Sequence, residues 1–116
     1  MKAVKLKKFT AFRVFEEFFM TLEECRKKID AVDREIMVLL NQRAEIVRTV
    51  GEIKAKAGLP ILDWNREIEI LRWVAQENEG IMDDEAAARI FRRILQESRQ
   101  MQTELIEDLK LEGEAC

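Results

Sequence analysis

Arg43 and Lys54 stand eleven residues apart, close to three helical turns, with Val47 and Val50 between them on the same face. Cations in an apolar stripe either snorkel and pair with carboxylates or help to form an anion pocket inside a helical bundle. A third cation, Arg66, is oddly placed. It falls in the first turn of a helix that Asp63 is expected to cap, where unpaired N–H groups and the macrodipole favour negative charge. Glu67 suits that turn and faces partly inward; Arg66 suits it only if it is simply solvated or if another anion lies nearby. Further along, Ser98 interrupts an apolar stripe, and Gln102 follows at i+4 on adjoining surface. A helical serine often bonds back to its own backbone. Taken together, however, these residues give each of three helices a hydrogen-bonding group where an apolar one is expected. The pattern implies a polar cavity for something anionic and hydroxylated.

Other chemistry is ruled out by what is missing. The chain has no histidine, and its two cysteines, Cys25 and Cys116, lie 91 positions apart without ligand-like neighbours, which excludes a zinc site or a Cys–His nucleophile. Cys25 falls on an apolar helical stripe and reads as a small core residue, Cys116 as part of the tail. Two unpaired cysteines fit a reducing compartment. A formal net charge of −3 disfavours a nucleic-acid binder that relies on bulk positive field, so any anion site must be local.

The elements that must position these side chains follow from composition and period. With 116 residues, 37% charged and 47% apolar, four glycines and one proline, the chain is expected to be a single all-α domain. Leu22, Cys25, Ile29, Val32, Ile36, Leu39, Arg43, Ile46, Val50, Ile53 and Ala57 alternate spacings of three and four, five heptads of one helix. At about 1.5 Å per residue that helix is roughly 53 Å long, against a diameter of about 35 Å for a compact chain of this size. Its apolar stripe therefore needs a second chain, and an intertwined homodimer is expected. Gly58 and Pro60 mark a loop, a second helix is expected over about residues 63–78 with Gly80 as its stop, and Asp83 is expected to cap a third whose stripe reads Ala87, Phe91, Ile94, Ser98, Met101 and Leu105.

Residues 1–19 begin basic and become rich in phenylalanine, yet Arg13, Glu16 and Glu17 interrupt the apolar run and no small-residue cleavage site follows, so a cytoplasmic protein is expected. This extension reads as an added helix, an interaction arm, or a segment upstream of a domain that begins near Met20. The expected division is an extension at 1–19, a helical domain at 20–109 and a tail at 110–116.

The run Cys25-Arg26-Lys27-Lys28-Ile29-Asp30-Ala31-Val32-Asp33-Arg34-Glu35-Ile36, followed by Leu39-Leu40-Asn41-Gln42-Arg43, Val50-Gly51-Glu52-Ile53-Lys54 and Asp63-Trp64-Asn65-Arg66-Glu67, resembles the all-α class of chorismate mutase. Glu97-Ser98-Arg99-Gln100-Met101-Gln102 ends the likeness, which spans 81 of the 116 residues, from Leu22 to Gln102, and includes the spacing between motifs.

The resemblance implies three helices per chain, two intertwined chains and two equivalent sites. It also implies that Arg26, Arg43, Lys54, Asp63, Arg66, Glu67, Ser98 and Gln102 bind substrate, with Lys54, Gln102, Glu67 and Arg43 acting on the reaction and Arg26 crossing from the partner chain. Geometry independently agrees on the last point: Arg26 and Arg43 are seventeen residues apart, about 25 Å along one helix, too far to grip one small molecule. The implied reaction is the concerted rearrangement of chorismate to prephenate, on the way to phenylalanine and tyrosine. It calls for no cofactor, covalent intermediate or proton shuttle. Arg26 and Arg43 would clamp carboxylates with Ser98 and Arg66 in support, Lys54 and Gln102 would donate to the ether oxygen, and Glu67 would accept from the ring hydroxyl. Asp63 would shape that end of the pocket.

Three rivals follow. An isochorismate-pyruvate lyase on the same scaffold would bind a related dianion, but the lyases associated with this fold lack an acid at the position of Glu67. An aminodeoxychorismate mutase would also favour Glu67, opposite an amine. A noncatalytic helical dimer docking on an aromatic-pathway enzyme through the phenylalanine-rich arm would leave the polar set without a purpose.

Overall fold

The structure is a computed structural model that describes residues 20–115. The expectations for residues 1–19 and for Cys116 lie outside the described residues. Within them the chain is all-α, with three helices: α1 over Leu22–Ala57, α2 over Trp64–Glu77 and α3 over Asp84–Ala115. Among the described residues there is no strand.

Local chemistry sets each boundary. Thr21 caps α1 through a reciprocal box: its hydroxyl accepts from Glu24 N at 3.1 Å, and the Glu24 carboxylate accepts from Thr21 N at 3.4 Å. The helix stops at Gly58, whose φ of 67° is left-handed and suits a residue without a Cβ. There Gly58 N donates to Ala55 O and Leu59 N to Lys54 O, satisfying two terminal carbonyls in a Schellman arrangement. Asp63 caps α2, as expected, with Oδ1 accepting from Arg66 N at 3.1 Å.

The stop of α2 differs from expectation. It is Asn78, in extended geometry, and Gly80 does not adopt a positive φ. The Asn78 amide donates at 2.7 Å both to the Met82 carbonyl and to the Asp84 carboxylate, so one side chain ties the end of α2 to the start of α3. At α3 the Asp83 carbonyl accepts from Ala87 N, and the helix continues through residue 115.

The core sits between α2 and α3, where Ile70, Val74, Ala87 and Leu95 are buried, flanked by Leu71 and Phe91. Trp73 meets Phe91 edge-on, ring centroids 5.9 Å apart. The long α1 contributes little to this core. Its one buried residue is Gly51, while Ile29, Val32, Ile36, Leu39, Ile46 and Ile53 are all between 46% and 65% exposed. The radius of gyration is 19.5 Å, against about 13 Å for a compact chain of this length. Among the described residues nothing covers the principal apolar stripe of α1.

Candidate active site

Three short segments converge on one cavity of about 290 Å³. Helix α1 supplies Arg43, Val47, Val50 and Lys54, spaced by four, three and four residues so that they share a face. The loop and first turn of α2 supply Ile61, Asp63, Arg66, Glu67 and Ile70, and α3 supplies Leu95, Ser98, Arg99 and Gln102. Apolar walls and polar heads alternate, as expected where three amphipathic helices leave a gap in their common interior.

Hydrogen bonds already orient most of the polar groups. Arg43 Nη1 donates to Ser98 Oγ at 2.5 Å, and Ser98 Oγ donates to the Ile94 carbonyl at 2.8 Å. Lys54 Nζ donates to the Ile61 carbonyl at 2.8 Å, which pins the loop before α2 to α1. Gln102, only 6% exposed, donates through Nε2 to the Val47 carbonyl at 3.0 Å and so joins α3 to α1. A lysine ammonium has three protons and an amide nitrogen two, so Lys54 and Gln102 each retain a donor for a ligand.

Gly51 permits this last contact. A Cβ built there would lie 3.1 Å from Gln102 Cγ and 3.4 Å from Leu105 Cδ2. The helices approach this closely because position 51 carries no side chain.

Four cations and two carboxylates line the cavity, a formal excess of two positive charges. Burial, and secondarily the charge of Arg66, push the Arg43 guanidinium below its ordinary range. Glu67 is well shielded: its side chain is 15% exposed, and Arg99 Nη1 donates to both of its oxygens. Arg66 lines the cavity but pairs at 2.7 Å with Glu69, one turn onward. A carboxylate on its own helix is thus the nearest reason for an arginine in this first turn. Among the described residues no group of His, Cys, Asp or Glu side chains is arranged to hold a metal ion.

Known proteins share this arrangement of segments. The profile described as chorismate mutase type II matches residues 25–103. The chain belongs to the chorismate mutase type II family. It is 32% identical over 90 residues to the chorismate mutase of Methanocaldococcus jannaschii, covering 75% of this chain and 89% of that one. It is 44% identical over 78 residues to the bifunctional chorismate mutase/prephenate dehydratase of Aquifex aeolicus, covering 64% of this chain and 22% of the relative. The chain thus spans about a fifth of the length of such bifunctional relatives. Form II of the Thermus thermophilus chorismate mutase superposes with a TM-score of 0.69 at 34% identity, over 71% of this chain and 93% of that one.

Of the eight positions that the chorismate mutase resemblance picks out, seven line the cavity: Arg43, Lys54, Asp63, Arg66, Glu67, Ser98 and Gln102. Arg26 does not; it is exposed near the start of α1. Sequence reasoning missed Arg99. One signal points to it: Arg99 lies three residues before Gln102, on the same helical face.

Proposed function

We propose that the protein is a chorismate mutase that rearranges chorismate to prephenate in phenylalanine and tyrosine biosynthesis. The observation that carries this reading is the convergence of eight polar side chains, Arg99 among them, from three helices on a single cavity with two excess positive charges. That charge suits a dianion, and a cavity of about 290 Å³ suits a molecule of one ring and a short side arm.

The chemistry is intramolecular, so the work of the site is to hold the folded reactive conformer and to favour charge that develops in the transition state. Arg43, aimed by Ser98, grips a carboxylate through its planar fork. Lys54 and Gln102, anchored to Ile61 and Val47 by one donor each, direct the remaining donors at the ether oxygen. Negative charge grows on that oxygen as the carbon–oxygen bond breaks, so these contacts strengthen at the transition state. Glu67 accepts from the ring hydroxyl. Asp63 fixes the start of α2 beneath that end of the cavity, and Arg66 adds positive charge at the rim.

In this reading Arg26 reaches the cavity of a second copy. Support comes from the exposed stripe of α1 and from an apolar groove of about 560 Å³ between α1 and α3, bordered by Ile36, Met37, Leu40, Ile90, Ile94 and Met101. Fully burying such a side chain contributes about 1.5–3 kcal/mol, and since these are already about half covered, a second copy adds roughly half of that for each. We also place the protein in the cytoplasm; among the described residues no helix is long and apolar enough to cross a membrane. An aromatic-pathway enzyme is the class of protein partner that fits, since relatives carry a prephenate dehydratase activity in the same chain.

The test is a spectrophotometric assay of chorismate loss, with isochorismate in parallel and the mass measured by light scattering. Prephenate formation by a dimer is expected. Pyruvate release from isochorismate without chorismate turnover, or full activity in a stable monomer, overturns the reading.

A further inference from the structure

The ion pair between Glu67 and Arg99 is the wall between two spaces. Both residues line the 290 Å³ cavity, and both also line an outer groove of about 440 Å³ between α2 and α3. Arg99 approaches the carboxylate with one nitrogen, Nη1, which donates to both oxygens. A carboxylate has about four lone-pair sites. Arg99 occupies two, and each oxygen keeps one for a donor inside the cavity.

Among the described residues, Glu67 is the carboxylate within ion-pair distance of Arg99. The groove beyond it is lined by Arg89, Arg92 and Arg93, of which Arg93 is bound to Glu97 at 2.9 Å. Glu67 is thus the carboxylate that balances Arg99, and Arg99 the cation that balances Glu67. With both partners more than half shielded, this pair is less screened than the exposed pairs on the helix surfaces, Arg66–Glu69 among them.

We propose that Arg99 is a positioning residue that sets substrate specificity: it fixes the Glu67 carboxylate from the outer side and cancels its charge, so that the cavity takes a ring bearing a hydroxyl in preference to one bearing an ammonium. This inference rests on the chorismate mutase reading. An uncompensated Glu67 would attract a ring ammonium as a full ion pair. With Arg99 behind it, the ammonium also meets the repulsion of a guanidinium one carboxyl group further off, which offsets part of that attraction. A neutral hydroxyl loses nothing from that second charge, because it needs only a well-placed acceptor.

Two variants separate charge from placement. Arg99→Gln keeps an N–H donor toward Glu67 and removes the charge; Arg99→Lys keeps the charge and removes the fork. Steady-state kinetics are measured for each on chorismate and on its 4-amino-4-deoxy analogue, after circular dichroism and a cooperative melt establish that each variant folds. In Arg99→Gln the ratio of kcat/KM for the hydroxyl over the amino substrate is expected to fall about tenfold or more, with the shift expressed mainly in KM. In Arg99→Lys the ratio is expected to stay near that of the wild type while kcat on chorismate drops, because the charge remains and the carboxylate is held less firmly. If Arg99→Gln does not fold, Arg99→Lys still decides, since a tenfold loss of selectivity there contradicts a role for charge. Selectivity unmoved in a folded Arg99→Gln, with the wild type active on chorismate, overturns this inference alone. A wild type inactive on chorismate overturns the functional reading and this inference with it.

Discussion

Ser98 stands between its own helix and Arg43: its hydroxyl proton goes to the Ile94 carbonyl, and its oxygen accepts from Arg43 Nη1. The serine therefore has no free proton for a ligand unless it gives up its bond to the helix. Its contribution is to aim a guanidinium that enters the site from another helix.

Ser98→Ala should accordingly weaken substrate binding rather than the chemical step. A hydrogen bond to a charged group is worth about 1.5–3 kcal/mol, so kcat/KM is expected to fall roughly tenfold to a hundredfold, mostly through KM. Ser98→Thr keeps the oxygen and should recover most of the loss. A fall in kcat at unchanged KM would contradict an aiming role. Melting temperature should move little, because an alanine in a helix interior is well tolerated.

Arg43 couples function to a cost in stability. Its guanidinium is held below its ordinary range by burial first and by the Arg66 charge second. A cation whose folded-state value is lowered is penalised by folding whenever it is charged. The penalty is present at every pH below the folded value and is relieved only as pH climbs through that value in strongly alkaline solution. No stability change from this group is expected between about pH 5 and 9. Arg43→Met removes the charge and keeps the apolar stem, so the melting temperature should rise while turnover falls about 10²-fold or more. Calorimetry and kinetics on the same preparation check both halves. A bound dianion should stabilise the wild type and leave Arg43→Met nearly unaffected.

At Gly51 the helix would tolerate a side chain and the site would not. Alanine is better than glycine in a helix by about 1 kcal/mol, yet its Cβ would press on Gln102 at 3.1 Å. Gly51→Ala is therefore expected to leave the melting temperature near that of the wild type and to lower kcat about tenfold, since small displacements of a donor aimed at a reacting atom are costly. Parallel loss of stability and activity would mean that the contact serves packing alone.

These cases mark what the sequence made legible. The three-four spacing from Leu22 to Ala57 specified α1 because a stripe that long has no competing period, and Arg43, Lys54, Glu67, Ser98 and Gln102 could be grouped because each helix carried polar side chains on its inner face, while Asp63 and Arg66 joined them only through the family resemblance. Two features escaped. Gly80 reads as a helix stop by its general preference, but the Asn78 amide, bonded to Met82 and Asp84, ends α2 earlier. The partner of Glu67 lies 32 positions away on another helix; spacing from Gln102 puts Arg99 on the inner face of α3 but does not name Glu67 as its partner. Local caps against water can be read from neighbours; pairs across helices need the tertiary packing.

Gln102 offers the sharpest pH test. Its amide nitrogen faces two acceptors: the Val47 carbonyl in the structure and, in the proposed reaction, the ether oxygen. A neutral amide donates at any pH, so wild-type activity should be nearly flat through mildly acidic and neutral solution. Gln102→Glu replaces the donor by a group that donates only when protonated, and its carboxylate would repel both the carbonyl and the charge growing on the ether oxygen. Activity in this variant should be confined to acid and fall by about tenfold per pH unit above the pKa of the new side chain. Lys54→Ala, which removes the other donor at that oxygen, should cost about 10²- to 10³-fold in kcat at every pH. A Gln102→Glu enzyme that is as active at pH 8 as at pH 5 would show that position 102 does not donate to the reacting oxygen.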